Sequence, residues 1–176
     1  MKSILRVASA AILICSAFVF ACAQNATASS EVLLIVSGEV SKQLKVTRAD
    51  WNKFARKSIT AKDHDGKEHP YEGVALADIL EQAGVKFGDG LRGKTLATYL
   101  LVEAADKYQA VFALPEFDAP SSDRLILLAD RQDGGALPAA DGPLKIIAPG
   151  DSRHSRWVRQ VRLLQIVRAP APGGKS

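Results

Sequence analysis

A chain of 176 residues, 47% hydrophobic and 24% charged, has the length and balance for one domain with a real core. Its 23 basic and 19 acidic residues give a net charge of +4, but two of the basic ones, Lys2 and Arg6, belong to a leader, so the remainder is nearly neutral and nucleic acid is excluded as a partner. Both cysteines, Cys15 and Cys22, also fall in the leader, which excludes a disulfide, a thiolate metal ligand and a cysteine nucleophile from the rest.

Residues 1–23 have the pattern of a general secretory signal peptide. Lys2 and Arg6 form the positive start, Val7 to Phe20 is apolar, and Ala21-Cys22-Ala23 offers small residues for cleavage, with Ala26-Thr27-Ala28 as a second site. The apolar run is short for a membrane span, and no later segment approaches one, so the mature chain is expected to be periplasmic without a span. Lipid attachment at Cys22 is a minority alternative, since Phe20 suits it poorly. Residues 24–30 form a small polar linker.

Strands are predicted over Glu31 to Val36 and Glu39 to Val46, turned at Ser37-Gly38. Thr47-Arg48-Ala49-Asp50 is a capping-box variant opening a short helix that directs Trp51 and Phe54 or Ala55 into the core. Asp65-Gly66 predicts a two-residue hairpin pairing His64 with Lys67, Asp63 with Glu68 and Lys62 with His69. In that register His64 and His69 share a face with Lys62 and Lys67, while Asp63 and Glu68 lie on the other, so the four do not converge as metal ligands. A helix follows over Ala75 to Ala83, with Leu76, Ile79, Leu80 and Ala83 as its apolar stripe and Gly84 as its stop.

Phe87 to Lys94 lacks the spacing of a phosphate loop and reads as a turn. Strands over Leu96 to Glu103 and Tyr108 to Leu114 precede a polar loop, Pro115 to Ser122. Another strand runs over Arg124 to Ala129, with a turn at Asp133-Gly134-Gly135. After Asp141-Gly142-Pro143 comes a buried-type strand, Leu144 to Ala148, broken by Pro149-Gly150, and the chain ends on a strand from about Val161 to Val167 and a flexible tail, 170–176. Many short strands with two or three helices predict an α+β domain with mostly antiparallel pairs.

Between the last two strands, Asp151 and Ser152 are good N-caps for one or two helical turns that would gather Arg153, Arg156 and Arg159 on one side. Guanidinium forks beside the free N–H groups of a helix start suit a phosphate-like anion; the plainer reading is a solvated basic rim.

The run from that strand through Pro149-Gly150-Asp151 to Arg156-Trp157-Val158, and the upstream Tyr71-Glu72-Gly73-Val74-Ala75-Leu76-Ala77-Asp78-Ile79-Leu80, resemble the molybdopterin-binding domain of sulfite oxidase-type oxidoreductases. The similarity covers roughly residues 32 to 168 and implies that fold for a domain over 31–169. It also implies a cofactor-binding surface of Arg153, His154, Ser155, Arg156, Trp157 and Arg159, with Arg156 and Trp157 near the pterin. The family holds molybdenum by the two pterin sulfurs and one cysteine; here that position falls on Asp63, which as a metal ligand would have to act through oxygen.

The chain departs from the family in a second respect. Molybdoenzymes leave the cytoplasm folded, by the twin-arginine route, and this leader has no arginine pair. The expectation is therefore a periplasmic module of the fold without a molybdenum centre or resident cofactor, binding a small anion, a pterin or a protein partner. The alternative is a molybdopterin-dependent oxidoreductase performing oxygen-atom transfer, with Asp63 or water completing the metal.

Overall fold

The computed structural model describes residues 31–118 and 121–170. The segments expected as signal peptide (1–23) and linker (24–30), and residues 171–176 of the expected tail, lie outside that range. Two five-stranded sheets and two short helices share one hydrophobic core. The first sheet has the order β2-β1-β10-β5-β6, from β1 (Val32–Gly38), β2 (Leu44–Thr47), β5 (Thr98–Ala104), β6 (Gln109–Ala113) and β10 (Val161–Arg168). Its one parallel pair is β1 with β10, which brings the two ends of the described chain side by side. The second sheet has the order β3-β4-β7-β8, from β3 (Lys57–Lys62), β4 (Glu68–Ala75), β7 (Leu127–Gln132) and β8 (Gly135–Ala136), with β9 (Lys145–Ile147) also on β7.

Alternation along the strands explains which residues enter the core. Along β5, Leu100, Val102 and Ala104 are buried while Leu101 and Glu103 are only half so, and β6 buries Ala110 and Phe112 in step with it. Helix α1 (Arg48–Trp51) is held by the expected capping box: Thr47 Oγ1 accepts from the Asp50 amide, and an Asp50 oxygen lies near the Thr47 amide. Trp51 is fully buried, packs at a tilt against Phe54 and donates its indole N–H to Asp130 at 2.9 Å. Helix α2 (Leu76–Gln82) buries Leu76, Ile79 and Leu80, with Ala83 beyond, and Gly84 ends it at φ +88°.

Three expectations require correction. The β3–β4 hairpin is one residue out of the expected register: Lys62 faces Glu68 and Ala61 faces His69. Gly66 at φ +80° accommodates a longer loop, closed by Asp63 N–H to Lys67 C=O at 2.9 Å and Gly66 N–H to Asp63 C=O at 3.0 Å. The slip moves Asp63 away from the exposed Glu68 and turns its carboxylate toward Tyr71. Next, the helical turns expected after Pro149-Gly150 reduce to a three-residue 3-10 turn, His154–Arg156, with no side-chain cap. Val158 must return to β9, where its carbonyl accepts from Ile146, and eight residues from Gly150 leave no room for a longer helix. Finally, the second strand is only Leu44–Thr47, and the strand expected from Arg124 begins at Leu127 and runs to Gln132.

Gly73 shows why the Gly-Val motif takes its form. At the irregularity between Glu72 and Gly73, β4 crosses β7 so closely that a Cβ on Gly73 would lie 2.1 Å from the Leu128 carbonyl oxygen. Only backbone is available to yield there. Gly73→Ala is expected to destabilise the domain by about 2–3 kcal/mol, read as a lower urea midpoint, whereas the same change at the open Gly134 turn lacks the clash.

Candidate functional site

The site is assembled from the β3–β4 loop, the end of β9 and the loop leading to β10. Strand β9 is buried along its whole length, including Lys145, which is 1% exposed. A buried ammonium is tolerated only when paired, and Lys145 Nζ donates to Asp63 Oδ2 at 2.9 Å and to Asp141 Oδ2 at 2.8 Å. The Tyr71 hydroxyl donates to the same Asp63 oxygen at 2.5 Å, and the His64 amide donates to Oδ1 at 2.7 Å. Partial burial pushes the Asp63 carboxyl up, but the Tyr71 hydroxyl, the Lys145 ammonium and the His64 amide outweigh it and hold the group well below the usual carboxylate range. Burial, together with that hydrogen bond, raises the Tyr71 phenol far above its ordinary value. Asp63 is thus an ionised acceptor, Tyr71 a neutral donor, and Lys145 lies 5.6 and 5.8 Å from the Tyr71 and Trp157 ring centroids.

The loop after β9 is shaped by its own side chains. Trp157 donates its indole N–H to the Ala148 carbonyl at 3.0 Å and packs edge-on against Tyr71 and His154. Arg156 holds Asp151 through Nε and Nη2 and Glu116 through Nη1, over the face of Phe112. These two carboxylates, Asp151 before Glu116, raise its already high pKa, so it is permanently charged. The Tyr108 hydroxyl donates to the Ser155 carbonyl at 2.6 Å.

The six residues expected to form an anion surface are therefore divided. Arg153, Arg156 and Arg159 do not share one side of a helix: Arg156 is taken up by Asp151 and Glu116, Arg159 is 3.7 Å from Asp141, and Arg153 has no ion-pair partner among the described residues. His154 and Trp157 do come together, flanked by two hollows. One, of about 330 Å³, is lined by His64, Asp106, Tyr108, His154, Ser155 and Arg159 among others. The other, of about 230 Å³, lies between Asp63, Lys62, Ser152, His154 and Trp157. A larger hollow of about 530 Å³ beside α1 and α2 is remote from both loops. Among the described residues no group of three or more His, Cys, Asp or Glu is placed to hold a metal ion. Sequence reasoning overlooked Lys145, Tyr71, Asp141 and Glu116. The available signal was a lysine inside the apolar run Leu144 to Ala148, which calls for buried partners.

A two-sheet α+β domain with a loop of this kind between its last two strands defines the class of the molybdopterin-binding fold. The family model described as the oxidoreductase molybdopterin binding domain matches residues 23–173, and the chain belongs to that family. Its fold is similar to that in the crystal structure of the sulfane dehydrogenase SoxCD from Paracoccus pantotrophus, with a TM-score of 0.60 and 25% identity over 76% of this chain. The match spans 37% of that longer chain. No curated protein matches. Among the described residues no helix is long and apolar enough to cross a membrane.

The donor set does not fit a molybdenum ion. No thiolate exists between residues 31 and 170, and the oxygens of Asp63, the expected metal-ligand position, already accept from an ammonium, a phenol and an amide. A cation at Asp63 would have to displace or repel Lys145.

Two outcomes are expected at this site. Lys145→Met leaves two partly buried carboxylates without their cation and should cost about 3 kcal/mol in urea unfolding, partly recovered when Asp63→Asn is added. His69 lies between Asp133 (2.8 Å) and Asp65 (3.2 Å), and these two carboxylates, Asp133 first, raise its pKa. A raised folded value means that the contribution is full below the unfolded pKa of about 6.5 and is lost as pH rises through the folded value. Wild type should therefore lose more stability than His69→Ala when the unfolding midpoint is followed from pH 6 to pH 9.

Proposed function

We propose that this protein is an exported, periplasmic member of the family that works without a molybdenum centre, as a module binding a small anion or a partner through the loop between its last two strands. The observation that supports this reading is the Lys145 ammonium bound to Asp63, the residue on which the resemblance puts the family's metal ligand. No step of oxygen-atom transfer is derived, because the residues present do not supply the metal's coordination. The leader supports the same reading: export by the general secretory route sends out an unfolded chain, and here the loop residues satisfy one another without a ligand.

The binding surface is the rim of the loop beside the two hollows, where Arg159, His154, Ser155 and Trp157 line the walls and Arg153 is exposed on the same loop. Asp63 and Asp151 are each paired, with Lys145 and Arg156, while Arg153 has no carboxylate partner among the described residues and is left to act on an approaching anion. The anion could be a phosphate group or the phosphate of a pterin, both of which the arginine forks suit.

The first experiment is joint elemental and pterin analysis of the mature protein purified from its own periplasm. Molybdenum and pterin well below one per chain are expected; both at one per chain would overturn the reading. For the rim, Arg153→Ala with Arg159→Ala should weaken binding of inorganic phosphate roughly tenfold in titration calorimetry. Arg156 is left intact because its ion pairs hold the loop. Undiminished binding in the double variant would remove the rim from consideration.

A further inference from the structure

The hairpin slip that buries Asp63 also places His64 against His154, a pair that sequence spacing does not suggest. Their ring centroids are 4.4 Å apart at 65°. Two imidazoles bound side by side to one metal, with metal–nitrogen bonds of about 2.0–2.1 Å and a right angle between them, have centroids about 4.5 Å apart. The His64–His154 separation matches that value.

The second observation concerns orientation. His154 Nε2 is 2.8 Å from the Lys62 carbonyl oxygen. A carbonyl can only accept, so in the neutral ring Nε2 carries the proton and Nδ1 keeps its lone pair. Ring N–H to backbone carbonyl is the support that metal-binding histidines ordinarily have. The Trp157 ring lies edge-on to His154 with centroids 4.3 Å apart, which fixes the imidazole from the other side. Among the described residues the His64 ring has no hydrogen-bond partner; only its amide is engaged, with Asp63. Both rings line the same hollow of about 330 Å³, which also contains Asp106 and the Tyr108 side chain. Arg159 at that hollow is directed to Asp141, 3.7 Å away.

We propose that His64 and His154 form a two-imidazole site for a divalent transition cation, with copper(II) the preferred ion. No third histidine or carboxylate is placed to join them among the described residues, so water or a small anion completes the coordination. Imidazole donors with open positions bind copper(II) most strongly in the first-row series, ahead of nickel(II) and zinc(II). The site uses none of Asp63, Tyr71 or Lys145, so its copper occupancy is independent of the molybdenum measurement; because His154 and Arg159 line the same hollow, phosphate is left out of the copper titration.

The chain has three histidines, which allows a complete test on tag-free mature protein titrated with copper(II). Calorimetry should give one ion per chain, and the paramagnetic resonance spectrum should show coupling to two imidazole nitrogens. His64→Ala and His154→Ala should each weaken binding roughly tenfold or more and reduce the coupling to one nitrogen. His69→Ala should leave both unchanged. His64 is exposed, so its variant reports on binding even if His154→Ala perturbs the loop. Failure of the wild type to bind, or wild-type affinity in His64→Ala, as an amino-terminal amine site would give, overturns the proposal.

Discussion

The Lys145 ammonium, enclosed at the start of β9, is the constraint on which the site depends. A lone charge in that position would cost several kcal/mol, so the surrounding chain must bring carboxylates to it. Asp141 lies on the approach to β9 itself, four residues before the lysine. Asp63 comes from a hairpin in the second sheet and can reach Lys145 only in the observed register; a shift by one residue would turn its side chain to the opposite face. Tyr71, on the partner strand, then uses its hydroxyl on the same carboxylate. One buried cation therefore specifies a turn, a register and a tyrosine rotamer.

The loop between β9 and β10 is governed by a parallel rule. Its ends are joined by the hydrogen bond between Ile146 and Val158, and the Trp157 indole closes on the Ala148 carbonyl. Its charge is settled by Arg156, whose guanidinium joins Asp151 within the loop to Glu116 beyond β6. Because these groups are partly buried, the pairing orients the loop more firmly than surface ion pairs would. The result holds His154 between Trp157 and the Lys62 carbonyl, where it meets the hairpin tip.

Much of this fold was legible because it rests on local patterns. The Thr47–Asp50 capping box, the stripe of α2 and the alternation in β5 and β6 each express a period or a side-chain-to-backbone bond within a few residues. The family resemblance agrees with the family model that matches residues 23–173. What failed was decided at longer range. Asp65-Gly66 specifies a turn but leaves its length open, and the choice follows from Asp63 meeting Lys145, 82 residues away. Asp151 has the chemistry of a helix cap, yet a bidentate arginine five residues on competes for the same carboxylate and wins. The spacing of Arg153, Arg156 and Arg159 described a helix that has no room to form.

The same ion pairs bear on how a loop of the molybdopterin-binding fold can hold its shape through its own side chains. A loop whose arginines await an anion carries unbalanced positive charge until the ligand arrives, and its conformation is then partly the ligand's work. In this chain Lys145 pairs with Asp63 and Asp141, Arg159 lies near Asp141, and Arg156 pairs with Asp151 and Glu116, so these cations are already met by carboxylates. Arg153 alone among the loop's arginines lacks such a partner in the described residues. The loop can therefore fold on its own, and any anion it binds meets a preformed rim. Preorganisation of this kind lowers the cost of binding but also limits what the rim can adapt to.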